Sequence, residues 1–353
     1  MSKYRVPLIF FISGVVLLIF FLFFRYRNIF DNKVDFTSKL SDTNKTLLSP
    51  QISGWAAWWE EPKAYELAAK YPNKFLTLSP VWFMVDENLE LKEVGIKEKK
   101  EVVLKLHNLG IKVLPSLGSE LTGGEMSPLF SDQDKKETLI KKLTDYIINL
   151  GADGLDVDLE SIKESDKDSF TNFLREIADN VHDNKLTISV TVHAQTSKLE
   201  WEGVLGQDLE EIGKLADEVR IMVYDKHSAS TQSGPIAPIS WIKDVVKYNA
   251  KLIDNEKIVI GIPSYGYIWT ESYSKGLQYD EFQNYIKNTE YTKHIDTDSG
   301  ELVFTTDDYE GWLSDSNAMK NKIDEVRSLG FNRFIIWHLG GMDEKFFEQI
   351  WPD

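Results

Sequence analysis

Three hydrophobic patterns follow one another along the chain. From Val6 to Phe24 the run VPLIFFISGVVLLIFFLFF carries no charge, and Lys3, Arg5, Arg25 and Arg27 bracket it. A helix needs roughly 20 apolar residues to cross a hydrocarbon core. No small-residue cleavage site follows, so the run predicts an uncleaved membrane anchor within residues 1–29. Residues 30–49 are polar and aperiodic and lead into Pro50, which reads as a linker. From there, short apolar runs rich in Val, Ile and Trp alternate with longer amphipathic segments. That alternation is the mark of βα units on a parallel sheet.

Eight runs predict strands, at 52–59, 75–83, 112–118, 154–160, 186–192, 218–225, 257–264 and 333–340. Between them, Val102, Val103, Leu106 and Leu109 predict a helix over 97–109, and Leu139, Leu143, Tyr146, Ile147 and Leu150 one over 134–150. Gly110, Gly151 and Gly330 stand where a helix needs a left-handed terminating residue. Eight strand and helix pairs over residues 50–353 imply an α/β fold, a (β/α)8 TIM barrel, whose usual length of about 250 residues leaves a surplus. The surplus forms an insertion after the seventh strand, at about 265–314, with a hairpin expected at HIDTDSGELVF. An excursion there lands on the carboxyl-terminal face of the barrel, where active sites sit. A doubly wound open sheet is the alternative, but no G-x-G-x-x-G follows any strand and no phosphate-loop motif is present.

Composition narrows the partners. Asp and Glu outnumber Lys and Arg by 56 to 40, a formal charge of −16, so nucleic acid is not an expected partner. Cysteine is absent, which excludes disulfides, thiolate metal sites and thiol catalysis. The 10 tryptophans supply flat faces that suit sugars, although a large core uses them too. Basic residues on both flanks of the apolar run leave the positive-inside rule balanced. The substrate argued below places the large acidic domain outside the cell, as part of a single-pass membrane protein.

The stretch DGLDVDLE, residues 153–160, concentrates the chemistry. Asp156, Asp158 and Glu160 alternate with Leu155, Val157 and Leu159, and a strand sends the two sets to opposite faces. In a barrel the apolar set packs on helices, so the carboxylates point inward and towards the top. Like charges are buried together only where some are protonated or paired, which marks the cluster as a functional site. A solvated antiparallel edge is the plainer alternative. A divalent metal could fill an oxygen-rich cluster, but there is no phosphate-binding loop and the 6 histidines show no ligand spacing. Neither metal nor cofactor is therefore expected. Acid catalysis fits better, with Glu160 at the mouth as proton donor. Two carboxylates side by side on one strand cannot flank a scissile bond, so the nucleophile would be the substrate's own N-acetyl oxygen.

These residues resemble glycoside hydrolase family 18, the chitinase family. Its motif DxxDxDxE is matched by Asp153, Asp156, Asp158 and Glu160, its M-x-Y-D by Met222, Tyr224 and Asp225, and its strand-end tryptophan by Trp337. GPIAPISWI, GIPSYGYIW and WHLGGMDE are similar to the branch holding bacterial cell-wall and spore-germination N-acetylglucosaminidases. The resemblance implies Glu160 as general acid then base, Asp158 orienting the acetamido group, Asp156 sharing charge with Asp158, and Tyr224 bonding the acetamido carbonyl. Asp153, Asp225, Met222 and Trp337 would bind sugar. Trp55 and Trp82, near the ends of the first two strands, are expected as aromatic subsites, as are Trp58 and Trp59. Tyr265, Tyr267 and Trp269 open the insertion and either pack it or touch sugar. LPSLGSE is only a loose form of the family's SxGG, and no peptidoglycan-binding repeat is visible. The implied activity is retaining hydrolysis of β-1,4-linked N-acetylglucosamine polymers, peptidoglycan or chitin. A lectin-like barrel without catalysis and an endoglycosidase on N-glycans are the alternatives.

Overall fold

The parity of each apolar run decides which side chains enter the barrel and which meet the helices around it. A computed structural model of the protein describes residues 49–197, 202–287 and 290–351. The expected anchor and nearly all of the linker lie outside the described residues. Among the described residues no helix is long and apolar enough to cross a membrane.

The strands β1 (Gln51–Ala56), β2 (Phe75–Val85), β3 (Ser116–Ser119), β4 (Gly154–Val157), β5 (Thr187–His193), β6 (Glu218–Met222), β7 (Ile258–Pro263) and β8 (Arg333–Trp337) form the barrel. Each pairs in parallel with its neighbours, and β1 closes the ring by pairing with both β2 and β8. A helix follows every strand, among them Lys99–Asn108 after β2 and Gln133–Leu150 after β3, within two residues of the periodicity's prediction. Gly110, Gly151 and Gly330 take positive φ at helix ends, where a Cβ would be strained. The predicted strands overrun at their carboxyl ends. Residues 158–160, 223–225 and 338–340 leave the ladder and become the loops of the top face.

Outward-facing Leu155, Val157, Ile188, Val190, Val219, Ile221, Phe334 and Ile336 bury themselves against the helices in one core cluster. Alternate residues fill the interior, where Trp55, Val259 and Ile335 pack with Tyr224 and Trp337. The insertion runs from Tyr265 to Leu313 as a five-stranded antiparallel sheet with the helix Tyr279–Ile286. Its own core contains Ile268, Phe282, Phe304 and Leu313. The expected hairpin pairs Thr292–Ile295 with Leu302–Thr305. Its turn does more than reverse the chain. The buried Glu301 accepts the amides of Ile236 (2.8 Å) and Ala237 (2.9 Å) and pairs with Lys322 at 3.0 Å. Asp298 accepts Ser240 N at 3.0 Å, at the start of the helix Ile239–Asn249. The insertion thereby braces the segment that follows β6.

Candidate active site

Inward-facing residues stack along the barrel axis with alternating charge. Near the base, Glu218 pairs with Arg333 and, at 3.3 Å, with Arg220. Arg220 is fully buried, donates to Ser79 Oγ at 2.6 Å and faces Asp156 across 3.2 Å. Asp156 also accepts hydrogen bonds from Trp55 Nε1 (2.9 Å), Ser116 Oγ (2.8 Å), Ser189 Oγ (2.7 Å) and Thr191 Oγ1 (3.2 Å). Four strands besides its own thus hold it. The lowest of the three inward carboxylates of the acidic strand is a fixed anchor, without accessible surface.

Asp158 stands one step higher, its amide bonded to Leu117 O at 2.8 Å. Its Oδ1 is buried and has no hydrogen-bond partner among the described residues. Burial, then the carboxylates of Glu160 and Asp156, hold its pKa well above the ordinary range, with Arg220 pulling the other way. Glu160 stands highest, with 49% of its side chain accessible to the cleft. Surrounding protein mass pushes its pKa up to about 7, and the Asp225 carboxylate adds to the effect. His193 Nε2, from the end of β5, lies 3.9 Å from Glu160 Oε2, and burial holds its pKa down at about 4, so it is neutral at neutral pH.

The loop after β6 supplies the opposite wall. Burial and the surrounding carboxylates raise the Tyr224 hydroxyl well above its usual value, so it remains an O–H donor. Gly261 on β7 leaves it room, since a Cβ there would stand 3.1 Å from the Tyr224 ring. Asp225, at φ 58°, accepts hydrogen bonds from Tyr265 OH and, at 3.0 Å, Tyr267 OH. Burial raises Asp225 while those two hydroxyls restrain it. The insertion's first strand therefore grips the loop after β6 rather than merely packing beside it.

Asp158, Glu160, His193, Met222, Tyr224, Asp225 and Trp337 line one open cleft of about 610 Å³, together with Lys226, Ser228, Thr231 and Trp241. Three sequence expectations are corrected. Asp153 precedes β4 at the barrel's other end and, out of phase with Asp156, faces outward to His107 Nε2 (2.8 Å) and Val113 N (2.8 Å). Trp55 is 1% exposed; it lies beneath the cleft, edge-on to Trp337 at 5.9 Å, and supports that ring instead of meeting solvent. Trp82 is wholly buried and lies against Glu61 and Tyr65 of the first helix. Thr77 and Ser79 point inward on β2, so alternation turns residue 82 outward. Trp58 and Trp59 are exposed, the latter 6.3 Å from Trp337 between ring centroids. Sequence reasoning passed over Arg220, His193, Lys226 and Trp241. Of these His193 alone carried a legible signal, a polar residue closing an apolar strand.

The family profile described as Glycosyl hydrolases family 18 matches residues 23–343, and the chain belongs to that family. It is 27% identical over 241 residues, 63% of its length, to YdhD of Bacillus subtilis, which carries the name of a sporulation-specific glycosylase. It spans 56% of that relative's length. It is 21% identical over 300 residues to the cortical fragment-lytic enzyme of Bacillus subtilis, covering 77% of this chain and 67% of that one. The fold is similar to the spore cortex-lytic enzyme SleL of Bacillus megaterium, with a TM-score of 0.75 at 19% identity over 85% of this chain and 73% of that one.

Proposed function

We propose that this family 18 member is a membrane-anchored glycosidase that hydrolyses β-1,4-linked N-acetylglucosamine polymers, peptidoglycan or chitin, with retention of configuration. The observation that carries the reading is the graded carboxylate stack: Asp156 tied down by its donors, Asp158 raised with a free oxygen, and Glu160 at about 7 on the cleft. Glu160 gives its proton to the bridging oxygen as the bond from that oxygen to the sugar's C1 breaks. Asp158 and Glu160 leave the same strand end, so neither is placed across the scissile bond as a carboxylate nucleophile. The acetamido carbonyl oxygen bonds to C1 instead, forming an oxazolinium ring. Asp158 accepts the acetamido N–H as positive charge develops there, and the Tyr224 hydroxyl orients the carbonyl. Water then attacks C1, returning its proton to Glu160 while the ring opens. Trp337 floors the N-acetylglucosamine, and the exposed Trp59 and Trp58 continue an aromatic track outward.

The uncharged run from Val6 to Phe24 supports anchoring, with the barrel outside the cell. The names of the relatives favour a cell-wall polymer. Mass spectrometry of products from purified peptidoglycan and from chitin oligosaccharides, using the full-length chain and Glu160→Gln, tests the reading. Fragments ending in N-acetylglucosamine are expected from the unmutated chain alone. An active Glu160→Gln chain, or an inverted first product anomer by NMR, would overturn it. Protease accessibility on intact cells tests topology, since an inaccessible barrel contradicts a wall substrate.

A further inference from the structure

The wall of the cleft formed by the loop after β6 carries a positive charge that the chemistry above does not use. Lys226 follows Asp225, and among the described residues it is the one Lys or Arg lining the cleft, in a chain of formal charge −16. Its ammonium stands 5.5 Å from the centroid of the Trp241 ring, a seat that holds the charge in place and leaves its N–H groups available. The carboxylate next to it in sequence is engaged elsewhere, since Asp225 accepts the two tyrosine hydroxyls. No described carboxylate pairs with Lys226.

The loop around it is braced rather than loose. Lys226 N donates to Ile236 O at 2.9 Å, and the amide of Ile236 is held in turn by Glu301. Trp269 Nε1 donates to the carbonyls of Ser228 (3.2 Å) and Thr231 (3.0 Å), and Ser274 Oγ to that of Ala229. The insertion thus presents the lysine in a set position. Lys226 lines the same cleft as Glu160 and the Trp337 floor, so a sugar chain laid across Glu160 passes the lysine.

We propose that Lys226 recognises a carboxylate on the leaving sugar, which makes the preferred polymer one that alternates N-acetylglucosamine with an acid-bearing sugar such as N-acetylmuramic acid. The inference rests on the glycosidase reading and narrows it. Chitin carries no charge along its length, so an ammonium on the wall finds only neutral hydroxyl and amide oxygens there. A carboxylate there gains a charge-assisted hydrogen bond. The carboxylate is either the lactyl group itself or one on an attached peptide.

The test measures kcat/KM of the full-length chain on peptide-free glycan strands, on the same strands methyl-esterified, and on peptide-bearing strands, with chitin oligosaccharides alongside. If the lactyl group is recognised, free-acid strands should be cleaved about tenfold faster than the ester, a ratio falling to about one in Lys226→Ala and kept in Lys226→Arg. If a peptide carboxylate is recognised, the peptide-bearing strands take that advantage and Lys226→Ala again removes it. A preference that survives Lys226→Ala, or no preference in the unmutated chain, overturns the role of Lys226 and leaves the glycosidase reading standing. No cleavage of any strand or of chitin oligosaccharides overturns the reading beneath it.

Discussion

Replacing Arg220 tests how the carboxylate stack is held. In Arg220→Met much of the side-chain volume is kept, but Asp156 loses the charge 3.2 Å away and Ser79 loses its 2.6 Å donor. Both members of the pair have no accessible surface, so water cannot replace the guanidinium. Breaking a buried pair from one side costs about 3–5 kcal/mol. Trp55, Ser116, Ser189 and Thr191 still donate to Asp156, which places the expectation near the lower end, at about 3 kcal/mol. At roughly 1.6 °C per kcal/mol for a domain of about 300 residues, Tm should fall by about 5 °C in differential scanning calorimetry of the full-length chain. Adding Asp156→Asn removes the stranded charge, so the double variant should be more stable than the sum of the two single losses. Activity gives a second readout. Arg220 is the one group that pulls the Asp158 pKa down, so its loss should move the limb of the pH–rate profile governed by Asp158 to higher pH. A Tm within about 2 °C of the unmutated chain, or additive losses in the double variant, would refute the buried pair as the support of the stack.

Glu160 must carry a proton to act as the acid, so kcat/KM should fall as pH rises through about 7. The same group affects stability: its folded pKa of about 7 lies above the ordinary glutamate value of about 4.5, so its contribution is complete below about 4.5 and is lost as pH rises to about 7. Glu160→Gln should therefore lose less Tm than the unmutated chain between about pH 5 and about pH 8, and an equal loss would contradict the assignment. Asp225→Asn removes the like charge that adds to burial at Glu160, so the alkaline limb of the profile should move to lower pH; an unmoved limb would show that the carboxylate does not act on Glu160. Tyr224→Phe should lower kcat by about a hundredfold with little change in KM if its hydroxyl serves the transition state, and a mere KM effect would assign it to ground-state binding.

The barrel was legible because each βα unit writes its own period. Val, Ile and Trp runs alternate with helical spacing, and each predicted strand has its counterpart in the ring. The alternation in DGLDVDLE likewise anticipates the inward placement of Asp156, Asp158 and Glu160, because strand parity is local. Where parity was not applied, the reading failed. Asp153 belongs to the same motif but sits out of phase with Asp156 and at the far end of the strand. Trp82 looked like a strand-end aromatic, yet inward Thr77 and Ser79 turn it to the helices. Trp55 has the inward parity but lies one layer too low, so it bonds Asp156 in place of sugar.

Local periodicity thus carries the identity of the strands, the closing glycines, the insertion and the acidic strand, because each depends on neighbours within a few residues. It carries nothing about which distant side chains meet. Arg220 lies 64 residues beyond Asp156 by numbering, 220 − 156, and reaches it only because the ring closes around a shared axis. Tyr265 and Tyr267 bond Asp225 because the insertion folds back over the top face. Asp156 is tied because Arg220 and donors from other strands converge on it, whereas Asp158 and Glu160 are raised because protein surrounds them without such donors, and which groups surround a carboxylate is a property of the assembled structure.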